Sequence, residues 1–268
     1  MGLLKSSCRF DAPCRFSKIV RRKIELPVDM STLPLLEDLG DVGGKRVLVR
    51  TDFNVPMSGA DDARVIVDDF RIVSALPTIK YLTERGATVV CASHLGRPKG
   101  APSAKYSMAP VRTKLAEVAP GVELLENLRF NPGEEANDPK FVAELVAGFD
   151  LYVDDAFGAT HRAHASIVGP PKTLPSAAGR LLQREIEVLG ALREKPNKPF
   201  VAVLGGAKVS DKIGVIEALQ ERVDAFIIGG GMCFTFLAAQ GYSVGDSICQ
   251  PELIDVCKKL LDGNVPIH

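Results

Sequence analysis

The sequence predicts an α/β protein with two Rossmann-like three-layer domains, mostly parallel sheets, a joining hinge helix and an incomplete second domain. Three observations predict it. From residue 45 onward, short β-branched runs alternate with segments of helical periodicity, the pattern of a parallel sheet built from βα units. Polar segments carrying Arg, His and Gly fall just after those runs, where such sheets bind ligands. The alternation then breaks once, at an amphipathic stretch over 176–195 that exits into EKPNKP at 194–199, and begins afresh.

Residues 45–49 form a β-branched run ending in a polar loop, as a strand buried on both faces does. Over 68–85, Phe70, Ile72, Val73, Leu76, Ile79 and Leu82 recur at helical spacing, and Gly86 closes the helix at C′. A second strand is expected over 87–92 and a helix over 109–118. A short strand over 122–124 leads into 126–130, a helix covers 139–145, and a strand over 150–153 runs into 154–158. The helix over 176–195 stands between the two series and reads as a hinge element. Beyond it come a strand at 200–204, a helix at 211–220, a strand at 225–228 and a triple-glycine turn at 229–231. Helices at 232–240 and 251–262 follow, and 265–268 opens another strand. Strands this few and short make a poor sheet for an independent domain. The expected division is an extension at 1–29, a first domain at 30–175, a helix and linker at 176–198 and a partial domain at 199–268.

Composition narrows the function. Lys+Arg and Asp+Glu balance at 33 each, so no overall basic field draws the chain to nucleic acid or an anionic membrane. There is no Trp, which counts against base stacking. The six cysteines include no C-x-x-C pair, which argues for free thiols in a reducing cytoplasm rather than a zinc site. No apolar run approaches the ~20 residues that span a bilayer. Residues 1–29 hold seven Lys/Arg against three acids and no apolar h-region. That excludes a secretory signal and leaves a disordered extension, a start at Met30, or an organelle transit peptide.

The chemistry-bearing segments are RTDFNVP at 50–56, SHLGRP at 93–98, ENLRF at 126–130 and HRAH at 161–164. They bring His94, Arg97, Arg129, His161, Arg162 and His164 to one edge of one sheet. Taken singly, each has a bland reading: Asp52 and Asn54 as turn caps, Arg71 as a solvated helix residue, His94 as a packed histidine. Together they repel one another unless an anion offsets them, and the fork of Arg suits a carboxylate or phosphate. Arg71 adds a cation in a first helical turn, against the dipole. In extended backbone, Asp52 and Asn54 point to one side and Phe53 into the core. Farther on, LGGAKVSDKI at 204–213 follows a strand and opens a helix, with Lys208 and Lys212 four apart on one face. Lysines at the positive end of a helix fit a phosphate chain. This is no Walker A loop, and GGG at 229–231 is no dinucleotide turn; a plain βα turn is an equal reading there.

With Arg71, DAFGATHRAHAS at 155–166, GGAKVSDKI at 205–213 and GGGMCFTFL at 229–237 in the same order, the chain resembles the phosphoglycerate kinases. The resemblance implies a monomeric cytoplasmic enzyme of glycolysis that moves a phosphoryl group between 1,3-bisphosphoglycerate and ADP, giving 3-phosphoglycerate and ATP, with Mg2+ on the nucleotide. It assigns Asp52, Phe53, Asn54, Arg71, His94, Leu95, Gly96, Arg97, Arg129 and Arg162 to 3-phosphoglycerate. Lys208, Lys212 and Gly231 go to the nucleotide, and Arg71 and Lys208 to the transferring phosphoryl; no protein residue is assigned to metal. Asp154 stands where the family more usually has Asn. The family also continues past His268 with the rest of its nucleotide domain. The chain as it stands is therefore expected to bind 3-phosphoglycerate with little or no turnover. The alternative is a non-catalytic 3-phosphoglycerate-binding or interaction module.

Overall fold

The computed structural model describes residues 33–61 and 63–268. The expected extension at 1–29 lies outside the described residues. The described chain divides into two compact units, 33–190 and 191–268.

In the first unit the strands are β1 (Arg46–Thr51), β2 (Met57–Ser58), β3 (Val65–Ile66), β4 (Thr88–Ala92), β5 (Glu123–Leu124), β6 (Leu151–Asp155) and β7 (Ser176–Ala178). Its helices are α1 (Phe70–Ser74), α2 (Leu76–Thr83), α3 (Ala109–Val118), α4 (Pro132–Ala136), α5 (Pro139–Val146), α6 (Phe157–Thr160), α7 (Ala165–Val168) and the start of α8 (Arg180–Glu194). The main sheet runs β5-β4-β1-β6-β7, with every pairing parallel. β2 and β3 form a small antiparallel hairpin.

The period-2 geometry of β1 shows why helices cover both faces. Val47 and Val49 pack with Ile72, Ile79, Leu82 and Leu115 on one side. Leu48 packs with Leu128, Leu145 and Tyr152 on the other. Each such side chain is fully buried, worth about 1.5–3 kcal/mol of transfer free energy. The central strands therefore cannot slip register without exposing a core face.

Two expected helices differ from those observed. The helix read over 68–85 is divided at Ala75. Pro77 has no N–H to continue the ladder, and the segment resumes as α2 with that proline in its first turn. The helix read over 176–195 begins only at Arg180. Ser176–Ala178 instead pairs with Tyr152, Val153 and Asp154 as β7. Gly179 turns the chain, and the first helical N–H groups find side-chain acceptors. Arg180 N donates to Thr78 Oγ1 at 2.8 Å, and Leu181 N and Leu182 N donate to Asp155 Oδ1 at 2.9 and 3.2 Å. A Cβ at Gly179 would run into the Asp155 carboxylate.

The second unit contains β8 (Val201–Gly205) and β9 (Ala225–Gly229), paired in parallel, with α9 (Ile213–Leu219), α10 (Cys233–Ala239) and α11 (Ile254–Leu261). The strand expected at 265–268 is present in outline: Ile267 bridges Phe226, and His268 N donates to Phe226 O at 2.8 Å. Ala202, Phe226, Ile216, Phe236 and Leu260 share one core. The opposite sheet face shows Val203 and Ile227, 71% and 44% exposed. Among the described residues of this unit, the helices thus cover one face of the β8-β9 pair.

Candidate functional site

The carboxyl ends of β5, β4, β1 and β6 open into a cavity of about 230 Å³ in the first unit. Each strand sends one loop. Asp52 and Asn54 follow β1; His94, Gly96 and Arg97 follow β4. Arg129 sits in a 3-10 turn after β5, and Gly158, Ala159 and Arg162 lie on and after α6, beyond β6. Arg71 reaches the same cavity from α1. A larger groove of about 820 Å³ runs past Tyr81, but its Lys80, Arg85, Arg180 and Arg184 alternate with Glu84 and Glu185. The small cavity sets Arg71, Arg97, Arg129 and Arg162 against Asp52 alone, so it carries the larger excess of positive charge in the smaller volume.

Most of the predicted substrate residues come together here. Arg71 Nη1 pairs with Asp52 Oδ2 at 2.7 Å, which answers the anomaly of a cation in a first helical turn. Asn54 Oδ1 accepts from Gly96 N at 2.8 Å and joins the β1 and β4 loops. Arg129 Nη1 donates to Gly96 O at 2.8 Å, tying β5 to the same point. Its Nε lies 3.1 Å from Glu135 Oε1, an ion pair off the line of a good hydrogen bond. Burial pulls the Arg129 guanidinium down from its usual range, with Glu135 opposing. Gly96 has φ +60, and a Cβ there would strike the Tyr106 ring. Arg71, Arg97 and Arg162 remain exposed.

Phe53 and Leu95 do not enter the cavity. Both side chains lie in the main core, 0% and 3% exposed, so only their backbone is near a ligand. Phe53 N is already used, donating to Ser93 Oγ at 2.8 Å. His94 is 6% exposed. Burial, then Arg50, Arg129, His164 and Arg162, press its imidazole from the ordinary value of 6.5 to about 2. His164 is also buried, and its ring is held low by desolvation, with Glu134 opposing. His161 is exposed. Asp154 faces away from the cavity: its carboxylate accepts from Ala156 N at 3.0 Å and Thr160 Oγ1 at 3.2 Å, and burial raises its pKa.

Sequence reasoning missed Gly158, where a Cβ would come within 2.7 Å of Asp52 Oδ2. It also missed Arg50, although that residue opens the RTDFNVP segment. A buried arginine carries no mark in sequence that separates it from an exposed one.

In the second unit the lysines differ from expectation. α9 starts at Ile213, with Lys212 at the N-cap and Lys208 in the loop that precedes it. They share a loop rather than a helix face, so the argument from four-residue spacing does not hold. Lys208 is exposed and Lys212 half-buried. The glycines at 230 and 231 have a structural use. Cβ atoms there would come within 2.9 Å of Gly206 O and 3.2 Å of Ala207 O, and Met232 N donates to Gly206 O at 2.9 Å. The two loops pack backbone on backbone, leaving Gly229 with open space.

Among the described residues no group of three or more His, Cys, Asp or Glu is placed to hold a metal ion. None of their helices is long and apolar enough to cross a membrane.

The family model for phosphoglycerate kinase matches residues 36–123 and 118–265. The phosphoglycerate kinase of Rubrobacter xylanophilus is 49% identical over 246 residues, covering 83% of this chain and 62% of that protein. That of Parafrankia sp. is 51% identical over 258 residues, covering 84% and 64%. Among solved structures, phosphoglycerate kinase from Coxiella burnetii superposes with a TM-score of 0.78 at 39% identity, covering 88% of this chain and 65% of that one. The enzyme from Pyrococcus horikoshii gives 0.72 at 30% identity, covering 87% and 65%. The chain thus spans somewhat under two thirds of the length of these relatives.

Proposed function

The chain belongs to the phosphoglycerate kinase family, and on that premise we propose that its first unit is the 3-phosphoglycerate-binding half of a phosphotransferase. The reaction would be reversible phosphoryl transfer between 1,3-bisphosphoglycerate and ADP. The observation that carries this reading is the 230 Å³ cavity, in which four arginines from separate elements meet the polar pair Asp52 and Asn54. Arginine forks bind phosphate and carboxylate bidentately; Asp52 and Asn54 are left to orient the hydroxyl. Phosphoryl transfer needs alignment and charge neutralisation more than a nucleophilic side chain. In this scheme Arg71 steadies the transferring phosphoryl from the glycerate side, its Asp52 pairing exchanged in part for the ligand. Lys208 and Lys212 receive the nucleotide phosphates, with Lys208 nearest the transferring group and Gly231 beside the adenosine.

Mg2+ is read as arriving on ADP or ATP, where it would neutralise phosphate charge. The zero formal net charge supplies no basic field for nucleic acid or an anionic membrane; the monomeric, cytoplasmic reading rests on the family alone. The second reading, a binding module without turnover, would need this cavity alone, whose lining residues all lie within 33–190.

Calorimetric titration with 3-phosphoglycerate tests the substrate assignment. Saturable one-site binding is expected, weakened about 10- to 100-fold in Arg162→Ala, the loss of a charge-assisted bond worth about 1.5–3 kcal/mol. No heat in the folded wild-type chain overturns it. Turnover with ADP and 1,3-bisphosphoglycerate then separates kinase from module.

A further inference from the structure

Beneath the cavity lies a file of buried polar groups that the reading above leaves unused. Arg50, Ser166 and Glu134 are 1%, 1% and 0% exposed. Ser166 Oγ donates to Glu134 Oε1 at 2.6 Å, and Ser166 N to Oε2 at 2.9 Å. Arg50 Nε meets Ser166 Oγ at 2.9 Å, and Arg50 Nη2 lies 3.2 Å from His94 Nδ1. Arg50 Nη1 is held by Thr51 O.

Every link has one permitted direction. Both Glu134 oxygens accept. The single Ser166 hydroxyl proton goes to Glu134, so Oγ accepts from Arg50. A guanidinium has five N–H donors and no acceptor. His94 Nδ1 must therefore accept, and a neutral imidazole whose Nδ1 accepts carries its proton on Nε2. An imidazolium would set an Nδ1–H against the Arg50 N–H. Nε2 has no hydrogen-bond partner among the described residues, and His94 lines the cavity.

We propose that Arg50 is a positioning residue that fixes His94 as the neutral Nε2–H tautomer, so that His94 meets the ligand as an uncharged hydrogen-bond donor. The ligand named here rests on the 3-phosphoglycerate reading; the tautomer rests on the buried file alone. The surroundings agree: besides burial, the strongest influences on the ring are Arg50, Arg129, His164 and Arg162, and none of these carries negative charge. The cationic share of anion recognition falls to the arginines. His94 contributes direction without charge, and does not switch off as pH rises through the usual histidine range.

The test is two-bond 1H–15N correlation NMR of the whole chain labelled at imidazole nitrogens, with His94→Gln to assign the signals. Nε2 of His94 is expected as the proton-bearing nitrogen and Nδ1 as the lone-pair nitrogen, unchanged from about pH 8 to pH 5. An Nδ1–H signal, or a His94 that titrates near its ordinary value, overturns the inference. Arg50→Lys, which still only donates, should keep the pattern. Arg50→Gln, whose amide oxygen accepts, should let the ring mix tautomers and titrate; an unchanged pattern there overturns the role of Arg50. If Arg50→Gln does not fold, the wild-type spectrum still decides the tautomer, and Arg50→Lys, which keeps the buried charge, tests the role of Arg50: loss of the Nε2–H pattern there overturns it. A titration with 3-phosphoglycerate in the same sample separates the two claims. Binding with a titrating His94 sinks the inference and keeps the substrate reading. A fixed Nε2–H without binding sinks the substrate reading and upholds the tautomer.

Discussion

Asp52 is the one carboxylate in a cavity of arginines, and its 2.7 Å pairing holds Arg71 while the cavity waits for an anion. Removing that hold should loosen Arg71 without removing any positive charge. Asp52→Asn is therefore expected to leave or even raise affinity for inorganic phosphate while weakening 3-phosphoglycerate, which also needs its hydroxyl oriented. Parallel titrations with both ligands check this; equal changes for the two would refute a role in orientation. At this scale the sequence was informative about charge and silent about burial. Asp52, Asn54, Arg71, Arg97, Arg129 and Arg162 were legible because unlike loops repeated the same chemistry. Phe53 and Leu95 were drawn in by their motifs, yet their side chains serve the core. Arg50 and Glu134 were invisible because buried ions depend on partners far away in sequence, Ser166 being 116 and 32 positions off.

The loops are positioned by capping and clamping side chains on neighbouring elements. Asn127, 3% exposed, is one of them. Its Oδ1 accepts from Arg129 N at 3.1 Å, while Nδ2 donates to Leu95 O and Tyr106 O at 2.8 and 2.9 Å. Asn127→Asp sets a carboxylate oxygen against two carbonyls and leaves both without a donor. A loss of about 2 kcal/mol is expected by urea denaturation, with weakened 3-phosphoglycerate binding through Arg129. On α5, Asp138 caps the first turn by accepting from Lys140 N at 2.8 Å. Asp138→Ala should cost about 1 kcal/mol and leave the ligand affinity unchanged, since the cap touches no cavity residue. The elements themselves were legible wherever β-branched runs and helical spacing were strong. They were misread at Pro77, where a missing N–H broke a continuous apolar stripe, and at Ser176–Ala178, where strand pairing with β6 overrode helical spacing.

Two buried titratable groups set opposite pH slopes for the whole first unit. His94 has a folded pKa of about 2 against 6.5, so the unfolded chain takes up the proton first. Its contribution is fully present above pH 6.5 and is lost as pH falls below it. Asp155 is pushed by burial from 3.8 to about 6, so the folded chain keeps its proton longer. Its contribution is largest below pH 3.8 and falls away as pH rises through 6. Between these limits the slopes oppose. His94→Gln should flatten the loss of stability below pH 6.5, and Asp155→Asn, which keeps an oxygen for Leu181 and Leu182, should steepen it. Urea midpoints across pH 4–7 measure both, and slopes moving in the same direction would contradict the assignment.

The sheet order β5-β4-β1-β6 carries a consequence for folding as well as for binding. The cavity borrows one loop from each of these neighbouring strands, so a chain with any one of them undocked has no cavity. Ligand occupancy is then a report that the sheet has been fully assembled, and it should slow amide exchange in β4, β1 and β6 together rather than loop by loop. A small anion would act as a proofreader of strand order, rewarding only the finished arrangement.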